Sequence, residues 1–264
     1  MKKQINETDL PLDDLGKIGL FLNGKLNLEK ENVDALLAGR RTDLISLRNL
    51  KTEGFQIQQL DAKLSLFRSE DGKVSLNVHP IYKEARNHGL LTDLEAEQLK
   101  LGEKSVIRKY QNTPEGTRKV HIIEYDAETR EFISYDPESV LAPDKVNGES
   151  LTRSQKEGFR NGEIIELSDG TKFQHRASEP QGIRSDTSSL IISLLLDGGI
   201  SYLMLKGLRS LSGREGSQKE EFSKGYREAY AEMEKSNIAS DLSEQNNKHP
   251  KLQQSRGYGH VASR

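Results

Sequence analysis

Apolar and polar positions alternate most clearly over residues 60–79. Leu60, Ala62, Leu64 and Leu66 alternate with Asp61, Lys63 and Ser65, and Val74, Leu76 and Val78 with Ser75, Asn77 and His79. A period of two puts one face of a strand on a core and the other in water. Asp71-Gly72 between the runs supplies the positive φ angles of a tight hairpin turn, and Pro80 should end the second strand or lie on a sheet edge. Two further strand pairs follow, HIIEYD with EFISYD and EIIEL with TKFQHR, the second joined through Asp169-Gly170. The first of these carries bulky residues on both faces, which predicts cover on both sides.

Helical spacing appears in four short stretches before residue 165. PLDDLGKIGLFLNGKL places Leu12, Leu15, Ile18 and Leu22 on one face behind Pro11, although its glycines weaken it. LEKENVDALLAG, LTDLEAEQLKLG and LTRSQKEGFRNG each end in a glycine: Gly39, Gly102 and Gly162. Thr152 is placed as an N-cap, with Gln155 completing a capping box. The segments 28–38, 91–101 and 151–161 each begin at a leucine and each precede a strand-like run. The spacing of about sixty residues suggests a repeated helix-plus-ribbon unit, longer than most solenoid periods; short capped helices in general would share the same pattern.

The character changes after residue 178. EPQGIRSDTSS reads as a linker. Leu190–Leu205 is the most apolar run of the chain, broken by Asp197-Gly198-Gly199 and followed by Lys206, Arg209 and Arg214. It is too short and too interrupted for a membrane span, so it is expected to form two short apolar helices. These would dock on the sheet, a second subunit or a membrane surface, with Leu190, Ile191, Leu194, Leu195, Ile200 and Leu203 as the docking residues. A polar helix carrying Phe222, Tyr226, Tyr230 and Met233 along one stripe comes next, and from Ile238 the composition predicts a disordered tail. The expected fold is therefore α+β, with short capped helices on antiparallel β-hairpins, then an apolar helical segment, a polar helix and the tail. The expected divisions are 1–86, 87–178, 179–212 and 213–264.

Composition sharpens this picture. Only 33% of the residues are hydrophobic and 30% are charged, so the ordered part should be small modules joined by polar segments or should carry a loose tail. The net charge of −2 gives no global nucleic-acid footprint. With no cysteine among its 264 residues, the chain has no disulfide, thiolate metal site or cysteine nucleophile. The N-terminus lacks the apolar run of a signal peptide, and a cytoplasmic location is expected.

Candidate chemistry is sparse. The glycines sit at helix ends and hairpin tips, and neither a phosphate loop nor a G-x-S-x-G elbow is present. His79, His88 and Glu84 lack metal-site spacing, and no metal or cofactor is expected. Asp126/Asp136 and Glu124/Glu131 flank a hairpin turn, where acids are expected to be solvated, as are His121 and His175. No catalytic residues are assigned. Arg40 and Arg41 after Gly39, and Lys104, Arg108 and Lys109 after Gly102, either complement helix dipoles or contact phosphates of a nucleic acid.

The segments LDDLGKIGLFLNGKLNLEKENVDALLAGRRTDLISL and LDAKLSLFRSEDGKVSLNVHPI resemble an uncharacterised domain of Bacteroidota proteins. EYDAETREFISYDPESVLAPDKVNGESLTRSQKEGFRNGEIIEL resembles a second uncharacterised domain that accompanies it. Together the resemblance covers roughly residues 10–180. It implies a protein of conjugative or mobilisable transposons and brings no catalytic residues. The expected function is a non-enzymatic accessory or adaptor protein acting by contact with a protein partner or by self-association. The alternative is a nucleic-acid-binding module of the transfer or regulation machinery.

Overall fold

A computed structural model describes residues 5–52, 55–69, 71–113, 116–196, 199–212, 217–219 and 221–247. The chain is α+β, with antiparallel pairing in every ladder but one.

The first unit opens with α1 (Leu12–Lys17), a two-stranded hairpin of β1 (Phe21–Leu22) and β2 (Lys25–Leu26), and α2 (Lys30–Leu37). The longer helix expected through Leu22 stops early because Gly19 takes a φ of 78° and Asn23-Gly24 forms the hairpin turn, with φ of 51° and 75°. A three-stranded sheet follows: β3 (Ile45–Thr52), β4 (Phe55–Arg68) and β5 (Val74–Pro80). Pro80 closes the edge strand β5 opposite Ala62, where its missing N–H costs no ladder bond to a further strand. Leu15, Leu36, Leu47 and Leu64 form the centre of the unit's core and are almost wholly buried.

The second unit is α3 (Asp93–Lys100) followed by β6 (Ile107–Asn112), β7 (Arg118–Asp126) and β8 (Glu131–Tyr135). Thr92 and Glu95 cap α3 reciprocally. Ala96 and Leu99 from the helix, with Leu91 just before it, meet Ile107 and Ile123 from the sheet.

The third unit repeats the plan and extends it. β9 (Lys145–Val146) and β10 (Glu149–Ser150) make a short hairpin, and α4 (Arg153–Arg160) follows with the expected Thr152–Gln155 capping box. Then come β11 (Ile165–Glu166), β12 (Lys172–His175) and β13 (Ile183–Ser185), again three antiparallel strands in sequence order. Helices α2, α3 and α4 all end at a glycine with φ near 70°, whose N–H donates to the carbonyl of Leu36, Leu99 or Phe159. Among the described residues a helix, a left-handed glycine and three successive antiparallel strands thus occur three times.

The largest departure from expectation lies beyond residue 178. The run expected as two apolar helices is a β-hairpin of β14 (Ser189–Leu196) and β15 (Gly199–Lys206). Each arm is strand-length, three isoleucines favour the extended chain, and Leu190 and Ile192 fall on the opposite face from Ile191 and Ser193. Short apolar runs of this kind are ambiguous by periodicity alone. The break at Asp197-Gly198 lies outside the described residues, as does Arg214. The linker-like stretch is also structural: β13 sits between β12 and β16 (Arg209–Ser210), and its pairing with β16 is parallel. A second four-stranded sheet runs in the order β10-β9-β14-β15.

One face of the β14–β15 hairpin, through Leu190, Ile192 and Leu205, completes a core with Val146, Phe159 and Phe173. The other face, through Ile191, Tyr202 and Met204, lies under α5 (Lys224–Asn247), whose Tyr226, Ala229 and Met233 are buried there. The tail expected to lose order from Ile238 remains helical through Asn247. Residues 248–264 lie outside the described residues.

Candidate functional site

Strands and turns of all three units bring charged groups into buried seams, and the segment Arg176–Arg184 sits where the seams meet. Lys63 Nζ, with no side-chain exposure, lies 3.0 Å from Asp126 Oδ2 and 2.8 Å from Glu128 Oε2, and donates to the Ser178 carbonyl at 3.0 Å. Arg41 donates to Thr129 Oγ1 at 3.0 Å and to Glu131 Oε2 at 2.7 Å, with Asp126 Oδ2 at 3.4 Å. Arg209 reaches Asp43, Glu128 and Glu179, and Arg184 pairs with Glu179 at 2.6 Å.

The second seam joins the second and third units. Glu124, fully buried, accepts the backbone N–H groups of Ser178 at 2.7 Å and Ala177 at 3.2 Å and stands 3.3 Å from Arg176 Nε. Arg176 donates to the carbonyls of Ser105 and Tyr125, and Gln174 donates to Ser105 Oγ and to the Gly162 carbonyl. His175 packs against Tyr135 and Phe159, and burial pulls its pKa down to about 4, so it is neutral near pH 7.

These contacts correct the expectation of solvated acids. Glu124 and Asp126 are buried at 0% and 2% exposure, and His175 is buried as well. His121 is half-buried beside Ser134 Oγ, at 3.0 Å. Lys63, on the face of β4 expected in water, is fully buried. The period of two is right, but the polar face meets another unit where water was expected. No local signal in the sequence marks Lys63, Glu179, Arg184 or Arg209, because each acquires its role only through contacts more than forty residues away or across a turn.

Each of the seam cations Lys63, Arg41, Arg176, Arg184 and Arg209 lies within ion-pair distance of at least one carboxylate. Glu131 shows the electrostatics: burial pushes its pKa up, yet the hydrogen bond from His79 and the Arg41 guanidinium outweigh it and hold the value at about 2. Among the described residues no group of three His, Cys, Asp or Glu side chains is placed to hold a metal ion. A groove of about 520 Å³, lined by Glu149, Asp169, Lys224, Glu228 and Glu232, opens where the Asn147-Gly148 turn meets α5. A second depression is lined by His88, His121 and Ser134.

The basic residues expected to act together separate. Arg41 is buried in the first seam, and Arg40 is half-buried with its Nε donating to the Pro180 carbonyl at 2.7 Å. Lys109 pairs with Glu95 at 2.6 Å. Lys104 and Arg108 are exposed. Arg108 lies 5.5 Å from the centre of the Tyr110 ring, and Arg118, on β7, lies 3.8 Å from the same ring. The RKY and TRK tripeptides, read as the two arms of one hairpin, were the available signal.

The docking residues also divide. Leu190 and Ile191 are core, Leu194 is half-buried, and Leu203 is 50% exposed. Leu195 and Ile200 pair across the hairpin, and their side chains lie outside the described residues. Strand β15 is the terminal strand of its sheet, and among the described residues it pairs with β14 alone. The carbonyls of Ile191 and Ser193 accept from Asn147 and Asp144 on the far side of β14. Their register partners Met204 and Tyr202 therefore turn their backbone groups to the open edge of β15. The Lys206 carbonyl on that edge accepts from Gln181 Nε2 at 2.6 Å.

Among the described residues no helix is long and apolar enough to cross a membrane. Residues 5–89 match the family model described as a protein of unknown function, DUF4099. Comparison with curated proteins and with solved structures gave no match.

Proposed function

We propose that the chain is a non-enzymatic accessory protein of a mobile genetic element, working in the cytoplasm by protein–protein contact. Its partner supplies an extended, alternately apolar segment that adds to the open edge of β15. The observation that carries the reading is that edge: an eight-residue strand with outward backbone groups at Tyr202 and Met204 and an exposed Leu203. A long, apolar, unpaired edge is a template for another strand, and proteins that do not use one usually blunt it with charge or proline. Between Gly199 and Leu205 there is neither. The clamped seams support the same reading, since they make a rigid frame that holds the edge in place. The mobile-element setting rests on the resemblance over residues 10–180 and is consistent with the family match at residues 5–89.

A photo-crosslinking amino acid at the exposed Ser201, in the native host, tests this. The expected result is a set of crosslinks confined to one extended segment of a partner protein. Leu203→Lys, a charge on an already exposed site, should abolish them while leaving thermal unfolding within about 0.5 kcal/mol of the wild type. Crosslinks that persist in the Leu203→Lys chain, or none in the wild type, would refute the reading.

A further inference from the structure

The strongest surface feature outside the β15 edge is the outer end of the β6–β7 pair. The third strand, β8, ends at Tyr135, opposite Ile122. Beyond that point β6 and β7 continue as a two-stranded ribbon through four more residue pairs, from Lys109↔His121 to Asn112↔Arg118. At about 3.3 Å per residue the ribbon runs about 13 Å past the Ile122 pair. Gln111, Asn112, Gly116, Thr117, Arg118 and Lys119 are all exposed, and Tyr110 is 47% exposed.

Cross-strand pairing puts Arg108, Tyr110, Asn112 and Arg118 on one face of this ribbon. The two guanidiniums are held against the single tyrosine ring, at 5.5 Å and 3.8 Å from its centre. Among the described residues no carboxylate pairs with Arg108, Arg118 or Lys119. Glu115, between the two strands in sequence, lies outside the described residues. This face of the ribbon therefore offers planar cations held on a tyrosine ring, with Asn112 beside them, while Gln111 and Lys119 lie on the opposite face.

We propose that this ribbon binds double-stranded DNA by entering the major groove. A two-stranded ribbon fits a groove about 12 Å wide and about 8.5 Å deep, and about 13 Å of projection is enough to reach its floor. The arginines supply contacts to phosphate and to guanine, and the asparagine matches adenine. Tyr110 acts as a positioning residue: with Arg118 against its ring it offers no open face for base stacking and instead fixes the arginines. The A-form helix of RNA, whose major groove is deep and narrow, does not admit the ribbon.

Fluorescence anisotropy with the full chain and labelled mixed-sequence oligonucleotides tests the proposal. The expected result is binding to duplex DNA at about 50 mM salt that weakens steeply as salt rises. Arg108→Ala with Arg118→Ala should weaken binding at least tenfold and flatten the slope of log K against log salt by about two. Tyr110→Ser should weaken binding and Tyr110→Phe should restore it, which separates a positioning ring from a hydroxyl contact. All four substitutions lie on the surface, and unchanged thermal unfolding checks that each variant is folded. No duplex binding at low salt overturns the proposal, as does equal or tighter binding to single-stranded DNA or duplex RNA, or wild-type affinity in the double-alanine chain. Leu203→Lys should leave DNA binding untouched, so failure here is distinct from failure of the β15 reading.

Discussion

Replacing Lys63 by methionine is the sharpest test of the clamped seams. Methionine keeps nearly the same volume and removes only the charge and its hydrogen bonds. In the folded chain Lys63 has no side-chain exposure and serves Asp126, Glu128 and the Ser178 carbonyl, all within 3.1 Å. After substitution Asp126, itself 2% exposed, keeps the more distant Arg41 at 3.4 Å and one backbone N–H from Glu128. Removing one partner of a buried ion pair costs about 3–5 kcal/mol, because the other charge stays behind without compensation. Glu128 can still turn to Arg209, which puts the expectation toward the lower end, about 3 kcal/mol. For a chain of this size that corresponds to a fall in Tm of about 6–12 °C, measured by calorimetry at pH 7. A second variant isolates the cause. With Asp126→Leu added, both charges go, and at least half of the lost stability should return. A loss below about 1 kcal/mol for Lys63→Met, or simple additivity in the double variant, would refute the view that this pair clamps the first unit to the second.

Two further outcomes follow from the same seams and from the repeated helix ends. Glu131 ionises at about 2 in the folded chain against an ordinary value of 4.5, so the stability it contributes is fully present above about pH 4.5 and is lost as the pH falls toward 2. Denaturant titrations across that window should show a slope that Glu131→Gln flattens, and an unchanged slope in the variant would remove Glu131 as its source. Gly162 and Gly102 share a left-handed φ, 71° and 72°, but a Cβ at Gly162 would stand 2.7 Å from Tyr135 Oη and 2.9 Å from Val106 Cγ1, whereas at Gly102 it meets nothing. Gly102→Ala should cost about 1 kcal/mol from backbone conformation alone, and Gly162→Ala at least about 1 kcal/mol more from the clash. Equal losses by urea unfolding would mean that the second unit does not press on the third at this point.

Local rules carried the sequence a long way inside each unit and failed at the joins. The hairpin turns at Asp71-Gly72 and Asp169-Gly170, the capping box at Thr152 and the glycine ends of three helices all depend on residues within one turn of each other, so the pattern was enough. The β14–β15 hairpin was misread because a run of aliphatic residues satisfies a short buried helix as well as a strand, and only its sheet partner β9 decides between them. Arg41 shows the same limit for the site. A cation just past a helix end complements the helix dipole in any sequence, and nothing local says that Asp126 and Glu131, about ninety residues on, enclose it. Nothing local says that the RKY and TRK stretches converge on one tyrosine, which takes the register of β6 on β7.

The low apolar content of the chain follows from where the seams are. Each unit buries a small apolar core of its own, which includes Leu64, Ile123 or Phe173. A repeat protein normally continues that core from unit to unit, so that neighbours supply one another's apolar faces. Here the faces that meet carry Lys63, Arg41, Asp126, Glu124 and Arg176, and the joining surface is ionic. Such a join gains little net stability over an apolar one, but it penalises every wrong register heavily, because a misaligned unit strands a buried charge. Three units built on one plan have a particular need for that discrimination, since any helix-and-sheet unit could otherwise dock on any other. The segment Arg176–Arg184 supplies it: its backbone satisfies Glu124, Lys63 and Arg40 at once, and Glu179 fixes Arg184 and Arg209. The stretch with the most linker-like composition thereby holds contacts to all three units, those that carry the β6–β7 ribbon and the β15 edge among them.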